Sequence, residues 1–135
     1  MLEVNMFGSN GIHDAAGKGN IELLKKLVAE HPEDVEVRMR HGYTPLAIAV
    51  QDGVVESAVV LLDAGADVNT RVDKIEQPLL HLAVSRWRLR PDGAMIQLLI
   101  DRGANLELKD NHGDTPFEIA RYMYEFPPEL LELLK

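Results

Sequence analysis

A chain of 135 residues with a formal net charge of −8 is sized for one domain, and its negative balance argues against nucleic acid or an anionic membrane as the main partner. Cysteine is absent, which removes disulfides and thiol chemistry and suits a reducing compartment, so a cytoplasmic location is expected. The opening Met1-Leu2-Glu3-Val4-Asn5 has neither a basic nor a long apolar run, so no signal peptide is visible, and the longest apolar stretch, Ala58 to Leu62, is far too short to cross a bilayer.

Along the chain one pattern recurs four times, with Ala15, Ala49, Ala83 and Ala120 spaced by 34, 34 and 37 residues. A fixed period of this length signals stacked repeats, each too small to bury its apolar face alone. The first copy, Ile12-His13-Asp14-Ala15, lacks a Thr-Pro start. The second is the clearest. Gly42 suits a turn of positive φ, Thr44 can cap a helix with its hydroxyl, and Pro45 fits the first helical position, where a missing N–H costs nothing. A first helix therefore starts at Pro45, and Leu46, Leu80 and Phe117 fall in its buried slot in successive copies. Gly53 and Gly65 stand where the two helices of the unit should end in a left-handed residue, and Val55, Val59 and Leu62 give the second helix its apolar spacing. The third copy, Pro78-Leu79-Leu80-His81-Leu82-Ala83, has its proline one slot early and no glycine before it. Between its helices, residues 85–93 run about four residues longer than in the second copy and hold the only tryptophan, Trp87, with Arg86, Arg88 and Arg90. The fourth copy restores the start with Thr115-Pro116-Phe117-Glu118-Ile119-Ala120.

Thr44-Pro45-Leu46-Ala47-Ile48-Ala49 and Thr115–Ala120 resemble the TPLHLA signature of the ankyrin repeat family, and Gly65-Ala66-Asp67-Val68-Asn69 and Gly103-Ala104-Asn105-Leu106-Glu107 resemble its GADVN segment. The resemblance runs from about Gly8 to Lys135. It implies an all-α repeat solenoid, a stack of helix-turn-helix units joined by β-hairpin loops, in one domain over residues 1–135 with repeats at approximately 8–37, 38–71, 72–108 and 109–135. It also implies a non-catalytic protein-interaction module that needs no cofactor. His13 and His81 would use their imidazoles to bond neighbouring hairpin backbone. The partner would meet the hairpin tips and the exposed side of the first helix, a concave face. Matching slots are Arg38, Arg40, His41 and Tyr43 entering the second repeat, Arg71, Lys74, Ile75 and Gln77 entering the third, and Lys109, Asn111, His112 and Asp114 entering the fourth. On the helix side they are Gln51, Asp52, Ser85, Arg86, Tyr122 and Met123, with Trp87 beside them.

The ends differ from the middle. Asp14 stands where later copies have Ile48, Leu82 and Ile119, and Lys26 where they have Val60, Leu98 and Leu133; Arg121 replaces Ala16, Val50 and Val84, and Lys135 replaces Val28, Leu62 and Ile100. Polar outer faces keep a solenoid soluble, so the first and last repeats read as caps and the free chain as a monomer.

The hairpin cations, Arg38, Arg40, Arg71, Lys74 and Lys109, contrast with acids on the second helices and their exits, such as Glu22, Asp34, Glu56, Asp63 and Glu129. That row would steer an acidic stretch of a partner, although charged tips also serve solubility. Trp87 is either an interface anchor or a ring folded back over its own helix, with the arginines paired to acids such as Asp92. His31, His41 and His112 lack metal-ligand spacing on one element. None of Ser9, Ser57 and Ser85 sits in a nucleophile elbow, and no phosphate loop follows a strand, so an enzyme is not expected. Two readings remain: an adaptor or inhibitor holding a protein through the concave face, and a dedicated blocking protein, of the immunity or antitoxin kind, that turns its acidic surface toward a basic enzyme.

Overall fold

The computed structural model describes residues 2–6 and 8–135; Met1, at the head of the segment read for a leader, lies outside them. Among the described residues eight α-helices form four consecutive pairs: α1 (Gly11–Lys18) with α2 (Ile21–Glu30), α3 (Pro45–Asp52) with α4 (Val55–Asp63), α5 (Leu79–Ser85) with α6 (Ala94–Asp101), and α7 (Pro116–Ala120) with α8 (Pro128–Leu133). The first helices stack in a row, α1 on α3, α3 on α5 and α5 on α7, while α2, α4 and α6 form a second row behind them. The recurring alanines sit in the first row and are at most 3% exposed, so the small side chain is what lets neighbouring helices close up. Leu46 and Leu80 are buried beside them, whereas Phe117 is only partly covered, because no further helix pair stacks on α7 among the described residues.

Each copy starts its first helix in its own way. Thr44 Oγ1 accepts the Ala47 N–H at 3.2 Å, and Thr115 and Glu118 form a reciprocal capping box. In the first copy Asn10 replaces the missing Thr-Pro. Its Oδ1 accepts the Ile12 and His13 amides at 2.9 and 3.1 Å, and its own N–H donates to His13 Nδ1 at 3.1 Å. In the third copy Pro78 takes the cap position without any side-chain bond.

The helix exits follow the glycines where the copies have them. Gly53, at φ 71°, closes α3, and a Cβ there would meet Leu89 Cβ at 3.0 Å, so this glycine serves both the turn and the seating of the next repeat's insertion. The third copy instead runs into a 3-10 turn, Trp87–Leu89, and postpones its left-handed residue to Gly93 at φ 80°.

Of the three expected hairpins, only the middle one is a strand pair. β1 (Arg71–Val72) runs antiparallel to β2 (Gln77–Pro78), with Arg71 opposite Pro78 and Val72 opposite Gln77. The flanking two are tight turns, closed by Met39 N–H to Tyr43 O at 2.8 Å and Asp110 N–H to Asp114 O at 2.9 Å. At the ends of the stack Asp14, Lys26, Arg121 and Lys135 are all exposed.

Candidate protein-interaction surface

The polar joints between repeats decide which candidate residues are available to a partner. Arg38 Nη1 donates to its own turn at Gly42 O (2.7 Å) and to Arg71 O in the next hairpin (2.8 Å), while Nη2 reaches the Thr70 hydroxyl. Arg71 repeats the arrangement, donating through Nη1 to Glu76 O at 3.0 Å and to Lys109 O at 2.9 Å. The expectation of free steering cations therefore has to be corrected at these two positions: both guanidinium groups brace neighbouring hairpins. Of the row, Arg38, Arg40, Lys74 and Lys109 are exposed and Arg71 is half-buried.

The two imidazoles do as expected. His13 Nε2 contacts Tyr43 O at 3.1 Å and His81 Nε2 contacts Asp114 O at 2.7 Å, each 30 or more residues along the chain. Burial holds both below the usual histidine range, so the rings are neutral with the proton on Nε2, and His13 Nδ1 is left to accept the Asn10 amide. Asp34, counted from sequence among the surface acids, is buried; its Oδ2 accepts the Leu2 N–H at 2.7 Å and ties the N-terminal segment to the first repeat.

Between the hairpins and the first helices lies a groove made of two adjoining depressions that share Met39 and Ile48. One, of about 300 Å³, is walled by Ser9, His13, Asp14, Lys18 and Asp52. The other, of about 390 Å³, is walled by Arg40, His41, Tyr43, Gln51 and Asp73. Four of the sequence-derived candidates, Arg40, His41, Tyr43 and Gln51, thus converge on one site. Burial and the nearby Asp73 push the Tyr43 hydroxyl above its ordinary range, so it stays protonated and able to donate. The floor residues Met39 and Ile48 were not among the sequence candidates: Met39 carries no motif signal, and Ile48 reads as a stacking residue.

The remaining candidates lie apart. Lys74 is on the exposed loop of the strand pair and Gln77 is half-buried in β2. Lys109, Asn111 and His112 are exposed on the last turn, which is organised by Asp110: its Oδ1 accepts the His112 and Asp114 amides, both at 3.0 Å. Desolvation opposes ionisation of that carboxyl, but the two amide bonds and the neighbouring histidines leave it below the usual carboxylate range.

Trp87 is packed. It is 7% exposed and meets Phe126 edge-on, with ring centroids 5.6 Å apart at 71°. Its place among the contact residues is therefore corrected to a core role. The arginines around it do not pair with Asp92, whose Oδ1 accepts the Ala94 N–H. They reach main-chain carbonyls of the adjoining repeats instead: Arg86 Nε to Gln51 O at 3.0 Å, Arg88 Nη2 to Tyr124 O at 3.0 Å and Arg90 Nε to Gly53 O at 2.8 Å. Tyr122 is 78% exposed, and so, at 79%, is Tyr124, which the sequence reading passed over although it lies two residues on.

A family profile described as ankyrin repeats, in three copies, matches residues 2–72. Inversin from Gallus gallus is 36% identical over 124 residues, 92% of this chain and 11% of that protein. Ankyrin repeat and KH domain-containing protein 1 from Homo sapiens is 37% identical over 103 residues, 76% of this chain and 4% of that protein. The E3 ubiquitin-protein ligase KEG from Arabidopsis thaliana is 32% identical over 108 residues, 80% of this chain and 6% of that protein. The chain spans about a tenth or less of the length of these relatives.

Proposed function

The chain belongs to the ankyrin repeat family, whose members are generally protein-interaction modules, and from that premise we propose that it holds a protein partner, without catalysis, through the groove between its hairpins and first helices. The observation that carries this reading is the continuity of the two depressions across the joint between the first two repeats, with Met39 and Ile48 as a shared apolar floor. Asp52 and Asp14, the latter ion-paired to Lys18 at 3.2 Å, stand on the helix side, and Arg40, His41 and Asp73 on the hairpin side. An apolar centre between charged walls suits an extended segment whose apolar side chain seats on the floor while its charged groups meet the walls. Fixed joints above and below the groove keep it formed before the partner arrives, which limits the ordering cost of binding. In this reading the free module is a monomer, since the outer faces of the first and last repeats carry Asp14, Lys26, Arg121 and Lys135.

The test compares capture of the natural partner by the unaltered chain, by Met39→Arg with Ile48→Asp, and by Glu56→Lys with Asp63→Lys on the second-helix side. Proteins lost from the groove variant and kept by the helix variant, identified by mass spectrometry and remeasured with purified partner, support the reading. The opposite pattern would favour the blocking protein with an acidic contact surface.

A further inference from the structure

The corner formed by the insertion of the third repeat and the loop after α7 has a character unlike the rest of the molecule. In a chain of net charge −8, Arg86, Arg88, Arg90 and Arg121 gather there, and none of them is within salt-bridge distance of a carboxylate among the described residues. Each is fixed through a single nitrogen. Arg86, Arg88 and Arg90 hold the carbonyls of Gln51, Tyr124 and Gly53, and Arg121 Nη2 donates to the Tyr122 hydroxyl at 2.6 Å. A guanidinium has five N–H donors, so each retains most of its capacity for a carboxylate while its side chain is already ordered. Two of the four sit over aromatic rings, Arg88 at 4.5 Å from the Trp87 centroid and Arg121 at 4.7 Å from the Tyr122 centroid.

Beside these cations the corner exposes apolar surface that a lone module has no reason to show. Tyr122 and Tyr124 are almost fully exposed and Leu89 is 48% exposed. A depression of about 280 Å³ opens between Leu89, Met123, Arg86 and Arg88, with the edge of Trp87 in its wall. Such a hollow holds one large apolar side chain. Tyrosine and arginine are among the residue types that dominate binding energy at protein interfaces, and both stand beside this hollow.

We propose that this corner is a second docking surface, separate from the groove, for an acidic protein segment that carries a leucine or phenylalanine anchor. The anchor enters the depression between Leu89 and Met123, and flanking carboxylates accept from the guanidinium groups of Arg86, Arg88 and Arg121. The charge complementarity is local: the chain as a whole repels an acidic partner, and the corner attracts it.

The experiment titrates the full chain with three blocked peptides by calorimetry, and follows emission of Trp87, the only tryptophan. The first peptide has glutamates on both sides of a Leu-Phe pair, the second has lysines in place of the glutamates, and the third has serines in place of Leu-Phe. Binding of the first peptide with a change in Trp87 emission, at least tenfold tighter than either of the others and weakened by salt, is expected. Tyr122→Ser with Tyr124→Ser, and separately Arg121→Glu, should each weaken it by roughly tenfold or more with unchanged melting, while Met39→Arg in the groove leaves it intact. Absence of binding, equal binding of the lysine or serine peptide, or insensitivity to both corner variants overturns the proposal. Loss on Met39→Arg alone would return the contact to the groove.

Discussion

Arg38 and Arg71 look like surface cations and act as braces, and this changes what their substitution should do. Arg38→Glu places a carboxylate against the carbonyls of Gly42 and Arg71, which it can only repel, so stability should fall by about 1–3 kcal/mol. Arg38→Lys should fall between, because a point charge cannot hold the same fork. A urea titration in which Arg38→Glu melts with the unaltered chain would remove the brace. The buried imidazoles give a pH dependence of definite sign. Burial lowers both folded-state values, so below about 6.5 the unfolded chain binds protons more readily than the folded one. Stability is therefore complete above that pH and declines as pH falls through the folded values of His13 and His81. Around His81, Asp110 and Asp114 favour the charged ring and Arg71 opposes it; no charged side chain contributes at His13. His81→Gln, which keeps a donor toward Asp114 O, should show a smaller loss of denaturation midpoint between pH 7 and pH 5 than the unaltered chain. An unchanged loss would place the acid sensitivity elsewhere.

At the level of elements, the two-helix units and their capping residues were legible because they depend on neighbours in sequence: Thr44, Pro45 and Gly53 meet their partners within a turn or two. The insertion was legible only as a length. Its inward fold rests on Phe126, which lies 39 residues beyond Trp87 and carries no motif, and its arginines find carbonyls, which every residue possesses and no sequence marks. The same reason hid the groove floor and the difference between one strand pair and two plain turns. Trp87→Ala should consequently cost about 3–5 kcal/mol, with a lowered melting temperature as the readout. Gly93→Ala should be harmful by a separate route. The added Cβ would lie 2.2 Å from Leu130 Cδ2, so that side chain has to leave its place, which loosens α8 on the third repeat, and φ +80° strains the alanine backbone. Loss of protection at the α8 amides in hydrogen exchange, with α1 to α4 unaffected, is the expected pattern; a uniform loss would mean that the stack opens as one unit.

For the molecule as a whole, the polar outer faces predict a behaviour that no single repeat would. Asp14→Ile with Arg121→Val gives both ends an apolar surface at a stacking position, and the altered chain should associate more strongly than the parent, as light scattering at rising concentration would show. Persistent monomers would mean that these faces are not stacking surfaces. The joints between repeats carry a further consequence. Ser57 to Ala16 O, His13 to Tyr43 O, Arg38 to Arg71 O, Arg71 to Lys109 O and His81 to Asp114 O all run from a side chain in one repeat or hairpin to the main chain of another. A carbonyl survives any substitution of the residue that bears it, so only one half of each such joint is exposed to mutational drift. Neighbouring repeats can diverge without having to change in concert, and Lys74, Ile75, Lys109 and Asn111 could be randomised together as a library while the stack keeps its register.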